Sequence, residues 1–476
     1  MKALRITLVA LAAIWTLLAG CSKKNGPGND LPDYKWTILC YFDGNNSEDQ
    51  TPEGHSYVIQ DVQELEQIGS TDQVQVVVML GSFKTDGDCK YYNVENHPNE
   101  PPDVISSEVL LDLGKRDMSD PSTLRDFVSY GAENYPSERY MLIISDHGGG
   151  WKGLCSDVIN GDGEWMSLPE FSTALPGFEF EIIWLYTPSM ATAEVAYQIR
   201  DRGKYMITSQ FGSYPTGIMG SGAWLADLAD DPGQNSIIFA HKVTEEVYNA
   251  AQSISPVKHV HSVLIYLSKM AQVAADASDL GEDLVEGAGA FWSEVWDAWG
   301  ASHNYDELDS TVVDLREFAR EIQSKTDLNL IIRSDAEDLS SSVNEAVLAQ
   351  FMHPQQDLIG GLSIHFPWNQ TDFDSLDYAQ LDLPVTGWDS FLSTFIRSFS
   401  SDFAGTLDIR STPTGAQVYL NGVYAGHETD AVISGILPGK YLLKLSKEGY
   451  LDYVASDFEI KPRVTTYWWA KLNPTP

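Results

Sequence analysis

The feature that most restricts the fold of this chain is a rhythm. Short apolar runs recur at 36–42 (WTILCYF), 74–80 (VQVVVML), 140–145 (YMLIIS), 180–185 (FEIIWL) and 205–209 (YMITS). Runs this continuous suit strands buried on both faces. Helical patterns lie between them. Val58, Val62, Leu65 and Ile68 space an amphipathic helix over 57–68, stopped by Gly69. Asp120 caps a helix over 120–135 that Pro121 opens and whose Leu124, Phe127 and Val128 face inward. Ser167 and Glu170 make a capping box, and 190–201 (MATAEVAYQIRD) form a helix behind the fourth run. Strands alternating with helices predict an α/β fold, a parallel sheet with helices on both faces.

The remaining chain is less regular. Residues 83–112, with Pro98, Pro101 and Pro102, read as an excursion holding a short hairpin. Residues 235–350 read as a mainly helical extension, in which Trp292, Trp296 and Trp299 at helical spacing are core. A late strand (GGLSIHFP, 360–367) carries His365 as a core or face histidine, and 388–399 is a closing helix. From Gly405 onward, alternating strands separated by Pro-Thr-Gly, Asn-Gly and Pro-Gly turns predict a small all-β module over 404–473.

The first twenty residues stand apart. Lys2 and Arg5 precede an apolar run that ends at Leu18-Ala19-Gly20-Cys21, the pattern of an exported lipoprotein. Residues 1–20 are expected to be a signal peptide, Cys21 the lipidated anchor to a bilayer, 21–33 a flexible tether, and 34–400 the main domain. The chain then belongs to the cell envelope, periplasmic or surface-exposed. Lys and Arg number 30 against 68 Asp and Glu, a net charge of −38, which excludes nucleic acid as a partner. Of the other cysteines, Cys40 reads as a buried small hydrophobe, and Cys89 and Cys155 as loop residues that could pair. No metal-ligand spacing is present. Asp157, Asp162 and Glu164 could offer oxygens to Ca2+ or form a solvated loop, and no other cofactor is implied.

The stretch Tyr140–Trp151, YMLIISDHGGGW, carries the chemistry. A buried strand ends at Asp146-His147, where open α/β sheets place their sites. Gly148, Gly149 and Gly150 then allow a sharp turn and close approach to a ligand.

With DMSDPSTLRDF (117–127), YPSERYMLIISDHGGGW (135–151), MATAEVAYQIRD (190–201), GLSIHFP (361–367) and WDSFL, the segment from Trp36 to Phe399 resembles the clostripain family of cysteine peptidases. The resemblance implies a caspase-like fold and a His-Cys dyad at neighbouring strand tips. The C-terminal segment resembles a PEGA module, through Ser411, Pro413, Gly415, Ala416 and Val418, then Asn421-Gly422, Pro438-Gly439 and Lys447-Glu448-Gly449-Tyr450.

His147 falls on the family histidine. The family's F-D-A-C-x-M run is here Leu185-Tyr186-Thr187-Pro188-Ser189-Met190. Pro188 therefore occupies the nucleophile position, with no group able to attack and no backbone N–H to give an oxyanion. Tyr186 replaces the aspartate that the family associates with basic P1 residues, and Ser209-Gln210-Phe211 lacks the acid often found after the fifth strand. The expected function is a surface lipoprotein that has lost peptidase activity and binds a peptide, protein or glycan in a cleft lined by His147, Tyr186 and Pro188. Two alternatives stand beside it. One is an active peptidase using Cys155 or Ser189 with His147. The other is a cell-wall or glycan binder using Tyr419, Tyr424, Tyr467, Trp468 and Trp469.

Overall fold

The structure, a computed structural model, describes residues 34–475 except 47–48, 176, 212–221, 254–259, 288–291, 303–310, 354–358, 368–372, 374, 384–386, 399–403, 421, 437–438 and 462. The leader, Cys21 and the tether lie outside the described residues.

In chain order the first half runs β1 (Tyr34–Gly44), α1 (Tyr57–Glu66), β2 (Val74–Ser82), β3 (Asp88–Asn93), β4 (Glu108–Lys115), α2 (Pro121–Asn134), β5 (Ser137–Ser145), α3 (Leu168–Ala174), β6 (Phe180–Tyr186), α4 (Ala193–Gln198) and β7 (Gly203–Thr208). The second half runs α5 (Ala223–Asp230), α6 (Ser236–Ser253), β8 (Val260–Tyr266), α7 (Met270–Gly287), α8 (Trp292–Ala301), β9 (Val312–Asp314), α9 (Leu315–Ser324), α10 (Leu330–Ala346), β10 (Val347–His353), β11 (Ser363–His365), α11 (Ser375–Tyr378) and α12 (Trp388–Ser398).

The main sheet has nine strands in the order β10-β8-β7-β6-β5-β1-β2-β3-β4. The five central strands, β7 to β2, run parallel, and both flanks are antiparallel. Alternate residues of each central strand feed two separate cores, as a strand buried on both faces requires. Leu39, Tyr41, Leu142, Ile144, Ile183 and Leu185 pack with Phe127 of α2, Phe171 of α3 and the helices α7, α9, α10 and α12. Ile38, Cys40, Met141, Ile143, Ile182 and Trp184 pack with Val62 of α1, Trp224 of α5 and Phe239 of α6. The predicted caps hold: Asp120 accepts from Ser122 N–H, and Ser167 and Glu170 form the reciprocal box.

Several sequence expectations change. The 83–112 excursion does contain a hairpin, but that hairpin joins the main sheet through β2. The stretch 235–350 hides β8 and the start of β10, two strands of the sheet, because a short apolar strand reads as another apolar run among helices. The 190–201 helix starts only at Ala193, with Thr192 as its cap. Ala191 is held extended by its N–H to Ser209 O at 2.9 Å and by Ser363 N–H to its own carbonyl at 2.8 Å. The late strand is short and pairs with β9 outside the main sheet. Cys89 and Cys155 are both fully buried free thiols, as is Cys40, so the loop pairing is overturned: each faces the core under the sheet. Among the described residues, no helix is long and apolar enough to cross a membrane.

The C-terminal strands are β12 (Gly405–Thr412), β13 (Gln417–Leu420), β14 (Val423–Glu428), β15 (Ala431–Ile436), β16 (Gly439–Ser446), β17 (Tyr453–Ile460) and β18 (Thr465–Lys471). They form a three-stranded sheet, β15-β12-β18, and a four-stranded sheet, β14-β13-β16-β17. Leu407, Ile409, Val418, Leu443, Leu445 and Phe458 make their common core.

Candidate active site

The site follows from one pairing. β5 and β6 are parallel neighbours with Ser145 opposite Tyr186. The residues leaving the two strands, Asp146-His147 and Thr187-Pro188, therefore emerge side by side. The glycine loop then folds against the second tip. A Cβ on Gly148 would sit 2.2 Å from the Pro188 carbonyl oxygen, and one on Gly150, whose φ is +59°, would sit 3.4 Å from Ser189 O. The glycines serve close approach to the neighbouring chain segment. Above Gly149 stands the ring of Trp165, 3.3 Å from where a Cβ would lie.

His147 and Pro188 line one cavity of about 330 Å³, shared with Gly148, Gly149, Gly150, Trp151, Lys152, Trp165, Ser189, Thr192, Gln210, Val312 and Ser363. Tyr186 does not line it: its side chain belongs to the opposite core, 5.9 Å from the Trp184 ring, because successive strand residues face opposite ways. Cys155 does not line it either. Its thiol is fully buried and pushed well above its usual range, first by burial and then by Asp146 and Asp43. The Cys155 N–H bonds the His147 carbonyl at 3.2 Å, so this residue braces the histidine loop from below. Ser189 lines the cavity in the left-handed region, φ +60°, and its N–H is spent on Phe211 O at 3.0 Å.

Beneath the histidine lies a set of inward-facing carboxyls that sequence reading missed. Asp146 accepts from Asn46 Nδ2 at 2.7 Å and from Ser156 N–H at 2.6 Å. Its carboxyl also bonds that of Asp43, at the end of β1. Asp43 Oδ2 meets no N–H or O–H donor among the described residues, so burial and the neighbouring Asp157 carboxyl both disfavour its ionised form. Burial, then the nearby Asp157 charge, pushes Asp43 up to about 7. Burial followed by Asp43 pushes Asp146 well above the carboxylate range. Asp157 is buried, and its oxygens accept from Asn45 Nδ2 (2.8 Å) and from the N–H groups of Met118 (3.0 Å), Ile159 (2.9 Å) and Asn160 (2.7 Å). Asp162 instead accepts from Glu164 N–H at 3.1 Å. Among the described residues no cluster of three His, Cys, Asp or Glu side chains could hold a metal ion. The Asp-Asp-His cluster was legible only as separate strand ends, since Asp43 and Asp146 are far apart in sequence.

The wall opposite the glycines comes from β11 and the loop after β7. Gln210 donates through Nε2 to Asp314 Oδ2 and Ser363 Oγ, both at 2.9 Å. His365 is 1% exposed, its ring 4.8 Å from that of Trp151 and 5.1 Å from that of Tyr378. Burial, then the charge of Lys152, lowers it to about 3, so it is neutral at physiological pH. Its backbone N–H and the Tyr378 hydroxyl both bond Glu194 Oε1, at 2.8 and 2.7 Å.

A parallel sheet that sets a histidine tip beside the tip expected to carry a thiol defines the class of caspase-like cysteine peptidase folds. The chain belongs to the clostripain family: residues 40–458 match the profile of peptidase C11, the clostripain family. Clostripain of Hathewaya histolytica is 24% identical over 206 residues, 36% of this chain and 37% of that enzyme, so the alignment spans well under half of it. A secreted C11 cysteine protease from Bacteroides thetaiotaomicron, solved with an irreversible peptide inhibitor, superposes with a TM-score of 0.57 at 17% identity, over 75% of this chain and 99% of that one. An inactive zymogen C11 protease from Parabacteroides distasonis gives 0.56 at 18% identity with the same coverage. At these identities the likeness is one of fold.

Two predictions follow from the geometry. Gly148→Ala forces a methyl against the Pro188 carbonyl and should cost about 2 kcal/mol or more in denaturant titration. Gly177→Ala, where a Cβ meets nothing within 4 Å, should be nearly neutral. Asp43 has its folded pKa raised from 3.8 to about 7, so its contribution is present below pH 3.8 and lost as pH rises through about 7. Asp43→Asn should therefore gain melting temperature relative to the unaltered chain between pH 4 and pH 8, read by calorimetry.

Proposed function

We propose that this chain is a clostripain-family protein that has lost peptidase activity and binds a peptide or protein at the bacterial cell envelope, anchored to a bilayer by lipid on Cys21. One observation carries the reading: Pro188, at the position the clostripain pattern gives to its cysteine, lines the same cavity as His147. A pyrrolidine ring has no atom to attack a carbonyl and no N–H for an oxyanion. The next N–H, that of Ser189, already bonds Phe211 O. Cys155, enclosed and with a raised pKa, has the opposite of the exposed thiolate that a nucleophile needs. What remains is a shaped cavity with intact walls. The chain without its leader should leave peptide substrates uncut and should not be labelled by a thiol-directed peptide inhibitor, while Pro188→Cys should gain labelling at residue 188. Hydrolysis by the unaltered chain that disappears in Ser189→Ala or Cys155→Ala would restore the displaced-nucleophile peptidase.

A second reading, glycan binding by the PEGA-like module, is favoured by one observation. Tyr467 and Trp469 of β18 are 75% and 62% exposed and share one face of their strand, whereas Trp468 packs on Phe458 in the core. Opposite them in register lie Asp408 and Arg410, themselves ion-paired. Aromatic faces beside polar groups suit sugar rings. On this reading, retardation of the leaderless chain in polysaccharide-containing native gels should be lost in the Tyr467→Ala, Trp469→Ala double variant, and equal mobility of the two would overturn it.

A further inference from the structure

We propose that the cavity between the two strand tips takes an acidic side chain of a peptide segment, with Lys152 as its counter-charge; this rests on the binding reading above and names its ligand. The cavity's described lining contains two basic residues, His147 and Lys152, and no Asp or Glu. That is a departure in a chain of 68 acidic residues against 30 basic ones. Lys152 is exposed at the mouth, with Nζ 6.0 Å from the Trp151 ring centroid, and forms no ion pair among the described residues.

The carboxylate nearest this wall is spent. Asp314 is 1% exposed, and Gln210 stands between it and the cavity. Its Oδ2 accepts from Gln210 Nε2 and from Gly360 N–H at 2.8 Å, and its Oδ1 accepts from Glu317 N–H at 2.9 Å. Tyr186, at the position where the clostripain pattern has an aspartate, is packed into the opposite core. Among the described residues, an incoming Lys or Arg would thus meet two basic side chains and no acceptor charge. An incoming carboxylate would gain a charge-assisted hydrogen bond from an ammonium that has no ion-pair partner among the described residues. The volume, about 330 Å³, admits a side chain with its flanking backbone.

The test uses the leaderless full chain on an array of peptides with neutral randomised flanks and a central Glu, Gln or Lys, at about 0.15 M salt, where the Debye length of about 8 Å screens the distant net charge. Hits are then measured by calorimetry, and their integrity by mass spectrometry. Glu peptides should bind about tenfold more tightly than their Lys counterparts. Lys152→Met, at an exposed position that should leave the melting temperature unchanged, should erase that difference. Preference for Lys, an affinity for Glu peptides that Lys152→Met does not lower, or no peptide bound at all would overturn the assignment. If Glu peptides are bound and also cut, the loss of peptidase activity is refuted while the acidic preference stands. If Lys peptides win and nothing is cut, the reverse holds.

Discussion

Everything at the site depends on how closely two parallel strand tips approach. The β5–β6 pairing sets Ser145 against Tyr186, and the Gly148 backbone then lies so near the Pro188 carbonyl that no side chain fits between. This contact positions His147, closes one side of the cavity and ties the glycine loop to the segment that leads into α4. Because β5 also pairs with β1, the carboxyl of Asp43 arrives under the same loop. One hydrogen-bonded ladder thereby brings together groups from three distant parts of the chain.

The polar interior beneath the histidine is expensive and well organised. Asp43 and Asp146 lie side by side, Asp157 is satisfied by four N–H donors, and Asn45 and Asn46 stitch them to the end of β1. Networks of this kind are costly when half-satisfied and rigid when complete. Here the network fixes the loop that carries His147 to the end of β1. On the far wall Gln210 Nε2 ties Asp314 to Ser363, while Gln210 Oε1 is buried without a partner among the described residues.

Reading the sequence went far where periodicity is local. Val58, Val62 and Leu65 face the core as their spacing requires, and Asp120, Pro121, Ser167 and Glu170 begin their helices as capping chemistry dictates. It failed where a segment's role is set by a distant partner. VHSVLIY at 260–266 is a sheet strand only because β7 and β10 stand on either side of it. Ala191 is a good helix former tied instead to Ser209 and Ser363. Cys89 and Cys155 resembled loop cysteines because burial beneath a neighbouring strand leaves no mark on flanking residues.

The amino-acid order by itself determined which atoms could be present at the site. Pro188 itself offers neither a nucleophile nor an N–H whatever surrounds it, since both follow from covalent structure. The alternation of strands and helices through β7 likewise followed from patterns a few residues long. Only the tertiary structure decided which groups meet: that Tyr186 turns away from the cavity, that Asp43 lies against Asp146, and that Lys152 joins His147 in lining the cavity. Side-chain direction and burial depend on strand register and on neighbours remote in the chain, and no local pattern encodes those.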